Sequence, residues 1–379
     1  MAPVSPLLSS LASYPFVRLE EAKRAAAARG IEIIDFGVGD PREPTPQLVK
    51  DALVEALAHP SRYPLAQGLP ELREAIAGWV GRRFGAELDP EREIIPTLGS
   101  KEAIFSLAQA VVGDRRLVLV PNPAYPVYER GALFAGAEVV TLPLREENGF
   151  LPHLDAADAA LWERLAIFWV NYPNNPTAAV APLEFYERLA ELARRHGFVL
   201  ASDEAYSELW FESPPCSALQ LADRTNVIAF NTLSKRSSMT GYRSGFAAGD
   251  PELIAALRAF RPTVGTAPQE FVQRASIAAW RDERHVEETR GRYRRKRELL
   301  GGALSRAGLR VAGDAATMYL WVEVPRGETS EEFATRLLEV GIVVAPGAYL
   351  GETGEGYVRV ALVPSLEDCK RAAAILERL

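Results

Sequence analysis

Lys235, Arg236 and Arg243 stand in the stretch "NTLSKRSSMTGYRSGF" (231–246), among seven hydroxyl side chains and directly after the apolar run "NVIAF". Cations and hydroxyls placed there suit a solvated loop, an anion site or a reactive amine. Four other short runs also carry polar groups behind apolar or turn segments: "TLGSKEAIF" (97–105), "NPAYPVY" (122–128), "YPNNPT" (172–177) and "SDEAY" (202–206). Taken singly, each has a plain explanation. Gly99-Ser100 caps a helix, Tyr125 is a turn or core tyrosine, and Asn174 and Asn175 belong to a Pro-bounded turn. Asp203 is harder to dismiss. It closes a strongly apolar strand, where an unpaired carboxylate is costly, so it must face a cation.

Together the runs make a set: a phosphate cradle at a helix N-terminus, an aromatic plate, an amide donor, a buried carboxylate, a lysine and an arginine. They follow one another in an order that a single sheet edge can gather. That set suits pyridoxal phosphate. This cofactor needs a lysine amine for its aldehyde and an anion against its ring nitrogen, so that the ring can act as an electron sink. It also needs a phosphate site and a flat surface against the ring.

The elements that must hold these residues are legible as short apolar strands at 116–121, 138–144, 166–173, 198–204, 226–232 and 245–250. Amphipathic segments lie between several of them. The clearest is 182–197, with Pro at its start, Leu and Ala at helical spacing and Gly at its end. The alternation predicts an α/β fold with a largely parallel sheet buried on both faces. After a charged helix over 282–308 come the strand-like runs "MYLWVEV", "GIVVAPG" and "GYVRVALV", and "SLEDCKRAAAILERL" is a closing helix. A smaller α+β domain is expected there. The division expected is a large cofactor-binding domain over 45–280 and a small one built from 1–44 and 281–379. The basic run "RYRRKR" (292–297) reads as a solvated helix face, because acidic residues flank it.

The 379 residues are 48% hydrophobic and 25% charged, with a net charge of −7, which is ordinary for a globular chain and disfavours a general nucleic-acid or anionic-membrane binder. Two cysteines and four scattered histidines point to no disulfide framework and no metal, and fit a reducing cytoplasm. No run of about 18 apolar residues is present, and the Pro-interrupted start lacks the basic region of a signal peptide.

In order and spacing, "YPLAQGLPELREAIA", "GSKEAIF", "NPAYPVY", "NYPNNPT", "SDEAY", "LSK…GYRSG" and "YVRVAL" resemble the fold-type I, class I/II aminotransferases along nearly the whole chain. The resemblance implies a pyridoxal phosphate-dependent transferase fold with these residue roles. Lys235 is the Schiff-base lysine and proton shuttle, and Asp203 pairs with the pyridine nitrogen. Asn175 and Tyr206 bond the phenolic oxygen, and Tyr125 stacks on the ring. Gly99, Ser100, Lys101, Thr232, Ser234 and Arg243 surround the phosphate. Tyr63 resembles the tyrosine that reaches the neighbouring subunit's phosphate, which implies a homodimer. Arg359 grips the substrate α-carboxylate, with Gly39 beside it and Asn175 near. Two positions depart from the pattern: Ala178 stands where the family usually has Gly, and Thr232 where it has Ser.

Within that family, "SKRSSMTGYRSGF", residues 266–300 and "YPFVRLEEAK" resemble the N-succinyldiaminopimelate aminotransferases of bacterial lysine synthesis. The resemblance implies ping-pong amino transfer with glutamate and 2-oxoglutarate, and a lysine of depressed pKa. Arg236 and Arg42 are the candidates for a distal substrate carboxylate; for Arg236 a solvated position is the other reading. Aminotransferases for alanine, aspartate or aromatic amino acids, and a carbon–sulfur β-lyase, share the same residues. A transcription regulator of this fold would need a DNA-binding domain for which the first 30 residues leave no room.

Overall fold

The computed structural model describes residues 5–10, 16–57, 62–154 and 159–378. The first two residues of "YPFVRLEEAK" lie outside them. Thirteen strands occur among the described residues: β1 Ile34–Asp35, β2 Ile94–Thr97, β3 Leu117–Asn122, β4 Glu138–Pro143, β5 Leu165–Asn171, β6 Val199–Asp203, β7 Val227–Thr232, β8 Gly245–Gly249, β9 Val311–Gly313, β10 Tyr319–Glu323, β11 Ile342–Val343, β12 Ala345–Pro346 and β13 Tyr357–Ala361.

Seven strands form one sheet in the order β2-β8-β7-β6-β5-β3-β4. The neighbours from β4 to β7 pair in parallel, and β8 is antiparallel to both β7 and β2. This is the mostly parallel sheet that the alternating pattern predicts. Side chains alternate across it. Ile167 and Trp169 of β5 join the core packed with Ile104, Val118 and Phe230, whereas Phe168 and Val170 join the opposite core with Leu119, Leu189 and Leu200. That two-sided burial is why these strands read as continuous apolar runs. β4 departs from the expectation: as the edge strand it is exposed or half-buried along its whole length.

The helix Leu183–His196 lies over one face and buries Tyr186, Leu189, Ala190 and Ala193, an i, i+3, i+4, i+7 stripe. Gly197, at φ 71°, ends it in the left-handed conformation that costs glycine least.

A second core gathers Ile34 and Phe36 with Tyr293, Leu300, Leu320, Val358 and Leu376. Its sheet is antiparallel in the order β12-β13-β10-β9, and β1 pairs in parallel with β11. Chain from near the N-terminus thus packs with chain from the C-terminal third. "GIVVAPG", expected as one strand, is split into β11 and β12, which belong to different sheets.

The basic run is also more than a solvated face. It lies on the helix Arg284–Arg306. Lys296 is buried there and donates to Glu43 at 2.7 Å, Arg297 pairs with Asp314 at 2.8 Å, and only some of its side chains, such as Arg295, face outward. No helix among the described residues is long and apolar enough to cross a membrane.

Leu200 is fully enclosed in central β6. Leu200→Ala is expected to lower the unfolding free energy by about 2–5 kcal/mol, read from the denaturant midpoint. An unchanged midpoint would mean that β6 is not the sheet's centre.

Candidate active site

Strands β2, β3, β5, β6 and β7 point the same way, so Thr97, Asn122, Asn171, Asp203 and Thr232 end at one edge. β8 runs back, and its first residue, Gly245, sits opposite both Thr97 and Thr232. Arg243, two residues earlier, therefore arrives at the same edge. Ligands of open α/β sheets settle at such carboxyl ends. A cavity of about 650 Å³ opens there, and every site residue expected from the sequence lines it except Gly99, Tyr63 and the two distal-carboxylate candidates, Arg42 and Arg236.

Gly99 lies immediately behind the cavity. It precedes the helix Ser100–Val111 at φ 69°, and a Cβ on it would stand 2.7 Å from Arg243 Nη2. The backbone thus meets the guanidinium at a helix N-terminus, where N–H groups are free for an anion. Thr232 caps the short turn Leu233–Arg236 by accepting from Ser234 N at 3.1 Å, and the two hydroxyl oxygens are 3.0 Å apart. Arg243 donates to the carbonyls of Thr240 and Leu98. Helix end, hydroxyls and guanidinium together form one anion cradle.

Asp203 lies at the floor, 5% exposed. Tyr128 Oη donates to one carboxylate oxygen at 2.7 Å and Ala205 N to the other at 3.2 Å. These bonds favour the anion, but burial outweighs them and pushes the carboxyl pKa up to about 6. A cationic N–H facing Asp203 would restore the anion. Lys235 Nζ donates to the Gly39 carbonyl at 2.6 Å. Burial, with Arg359 and Arg243 adding to it, lowers its amine to about 8 against the opposing fields of Asp40 and Asp203.

Arg359, on β13, reaches the cavity from the second sheet. It donates to Asn175 Oδ1 and to the Gly37 carbonyl, both at 2.9 Å, and lies 4.4 Å from the Tyr319 ring centre. Tyr319 Oη hydrogen-bonds Tyr206 Oη at 2.8 Å. A Cβ at Gly39 would fall 2.1 Å from that Tyr319 oxygen, so only glycine fits there. Asn171 holds this corner from behind, accepting from Asn175 N at 2.9 Å and donating to the Asp203 carbonyl at 2.8 Å.

An anion cradle, a buried carboxylate short of a cation, and an amine whose pKa is lowered to about 8 fit pyridoxal phosphate, and Tyr125 supplies the aromatic wall. Tyr63 does not join them. Its side chain is fully exposed, at 102%. Arg236 is neither solvated nor in the cavity. At 1% exposure it donates to Ala279 O and Glu283 Oε1, between Trp79 and Trp280. Arg42 is likewise off the cavity and pairs with Asp35 at 3.6 Å.

Several lining residues were not singled out from the sequence, Tyr128, Asp40 and Tyr319 among them. Tyr128 stands three residues after Tyr125 inside the quoted "NPAYPVY", a spacing that puts both at one turn. Asp40 follows Gly39. Tyr319 lies in a strand that carries no motif, so no local signal marks it.

The family model described as aminotransferase class I and II matches residues 31–376. An LL-diaminopimelate aminotransferase of Aquifex aeolicus is 43% identical over 98% of each chain. Among solved structures, an aminotransferase from Neisseria meningitidis aligns with a TM-score of 0.92 and 39% identity, over 98% of this chain and 99% of that one. A probable N-succinyldiaminopimelate aminotransferase from Thermus thermophilus aligns at 0.89 and 35%, over 96% and 99%.

The lowered pKa of Lys235 has a direct test. Only the neutral amine bonds an aldehyde, so uptake of pyridoxal phosphate by the stripped protein should accelerate with pH and level off above about 8. A midpoint near the ordinary 10.5 would show that the amine is not desolvated.

Proposed function

The chain belongs to the class I and II aminotransferases, and from that premise we propose that it moves an amino group between LL-diaminopimelate and a 2-oxo acid such as 2-oxoglutarate, in lysine synthesis. It is an enzyme, and its cofactor is pyridoxal phosphate. When bound, the cofactor withdraws electrons from the substrate's α-carbon.

The chain's own residues would divide the remaining work. The cradle of Ser100, Lys101, Thr232, Ser234 and Arg243, with Gly99 behind it, would hold the phosphate. Tyr125 would wall the ring. Asp203 would keep the ring nitrogen protonated, while Asn175 and Tyr206 would bond the ring oxygen. Lys235 Nζ would first hold the cofactor and then, set free, take the proton from the substrate's α-carbon. An amine near pKa 8 is suited to both. Arg359 would fork onto the α-carboxylate beside Gly39, held in aim by Asn175 and Tyr319.

The observation that carries the substrate choice is Asp40. It lines the cavity, is exposed, and makes no hydrogen bond or ion pair among the described residues. A carboxylate there suits the distal ammonium of free diaminopimelate. Succinylation would remove that ammonium and add a carboxylate. The names of relatives above 40% identity support the same choice. The second reading is the N-succinylated substrate, favoured by the likeness to the Thermus structure and by "SKRSSMTGYRSGF". It lacks the two arginines expected to meet the succinyl group, since neither Arg236 nor Arg42 lines the cavity.

Three further elements belong to the proposal. Residues 45–280 form a cofactor domain, with 1–44 and 281–379 as the second. Two chains pair so that the exposed Tyr63 reaches a neighbour's phosphate. A cytoplasmic setting agrees with the free thiols Cys216 and Cys369.

The test is absorbance of the loaded protein, titrated with amino donors. LL-diaminopimelate should discharge the visible band and 2-oxoglutarate restore it. Discharge by the N-succinylated compound alone would select the second reading. Asp40→Asn is expected to raise KM for LL-diaminopimelate several-fold and leave KM for glutamate near its original value; equal effects on both would remove Asp40 from specificity. Arg359→Lys should raise KM for every amino donor about 10–100-fold, because the planar fork is lost.

A further inference from the structure

Lys235 sits on a turn of only four residues, Leu233–Arg236, too short to hold its own orientation. Thr232 secures its start. Its exit is secured by a polar chain with no place in the chemistry above, in which Ser237 and His285 are buried and Asp282 half-buried. Ser237 Oγ hydrogen-bonds His285 Nε2 at 2.8 Å, and His285 Nδ1 meets Asp282 Oδ2 at 2.5 Å. The same carboxylate oxygen accepts from the His285 backbone N–H at 3.0 Å.

The roles within this chain follow from the donor inventory. An ionised carboxylate only accepts, so Nδ1 carries the proton. In the neutral ring Nε2 is then an acceptor, and the Ser237 hydroxyl donates to it. The order Ser–His–Asp is that of a hydrolytic triad, but Ser237 is 0% exposed and cannot meet a substrate. What the chain can do is hold. Arg236, the residue between, fastens to the same corner through Ala279 O and Glu283 Oε1. That corner lies between the helices Glu270–Arg281 and Arg284–Arg306. Eleven residues after His285, Lys296 on the long helix holds Glu43, four residues past the Gly39 carbonyl that receives Lys235 Nζ. One helix therefore grips both the turn that carries the amine and the segment against which the amine rests.

We propose that His285 is a positioning residue for amino transfer: with Ser237 and Asp282 it clamps the Lys235 turn to the long helix and so sets where Nζ points. The inference rests on the role given to Lys235 above. The charged groups acting on His285 are Arg236, Asp282 and Glu288.

The test compares Ser237→Ala, His285→Asn and His285→Gln in the loaded enzyme. Asn places its amide where Nδ1 was and keeps Asp282 but loses Ser237; Gln reaches the place of Nε2 and keeps Ser237. The expected result is a drop in kcat of about 10-fold in S237A and H285N with KM for the donor within about twofold, since small displacements of a reacting group are costly. The pH midpoint of the cofactor's visible absorbance should move in the same two variants. H285Q should recover most of kcat and the original midpoint. Wild-type kcat and midpoint in all three would overturn the proposal. So would equal losses in all three alongside lowered melting temperature, which mark a merely structural residue. Lys235→Ala, run in parallel with borohydride reduction, separates the premises: cofactor still fixed covalently to the chain there refutes the reading of Lys235 itself, whereas loss of that fixation beside three unaffected variants refutes only the clamp.

Discussion

A carboxylate at the end of a buried strand is the constraint on which the rest of the site depends. Asp203 is almost wholly withdrawn from water, and two hydrogen bonds do not offset that loss of hydration. Its surroundings must therefore bring positive charge close without neutralising it permanently. Lys235 supplies part of the field, yet its own burial drives it toward the neutral amine. Two groups of opposite sign are thus held in a shared crevice, each displaced toward its uncharged form. In the proposed roles, a protonated ring nitrogen beside Asp203 and an aldehyde joined to the Lys235 amine would relieve both at once.

That arrangement would collapse on a soft floor, and a second polar layer stiffens it. Glu204, next to Asp203, turns to the other side and accepts from Ser202, Ser217 and the Ala218 backbone, while burial raises its pKa to about 7. Asn231 donates to the Glu204 carbonyl and to Ser207. Glu208 takes Arg83 at 2.7 Å and Arg290 at 3.2 Å, which binds the loop after β6 to the long helix. Because almost every buried donor and acceptor here has a partner, the loops behave as an extension of the sheet.

The two sheets meet across the cavity, and the contact is chemical as well as steric. Arg359 comes from β13 but is aimed by Asn175 from the loop after β5 and by the Gly37 carbonyl. Tyr206 and Tyr319 join the same two regions through their hydroxyls. Any shift of the second sheet would therefore move Arg359 relative to Lys235. The corner at 279–285 acts from behind on the same geometry, holding the lysine turn while its helix holds Glu43.

Much of this was legible in the sequence. The strands of the large sheet announce themselves as apolar runs because both faces are buried, and helix Leu183–His196 by its stripe and terminal glycine. The residues at strand ends were identifiable because a charged or amide group directly after such a run has few bland uses. Other features had no local signal. Arg236 reads like a ligand, and only packing shows it enclosed by Trp79 and Trp280. Tyr319 and Asp40 reach the cavity through the apposition of two sheets, and His285 meets Ser237 across 48 positions. Residue type and periodicity are set by near neighbours in the chain, so the sequence alone determined the elements and the chemistry at their ends. Which side chains meet across elements depends on how those elements dock, and only the tertiary structure decided that.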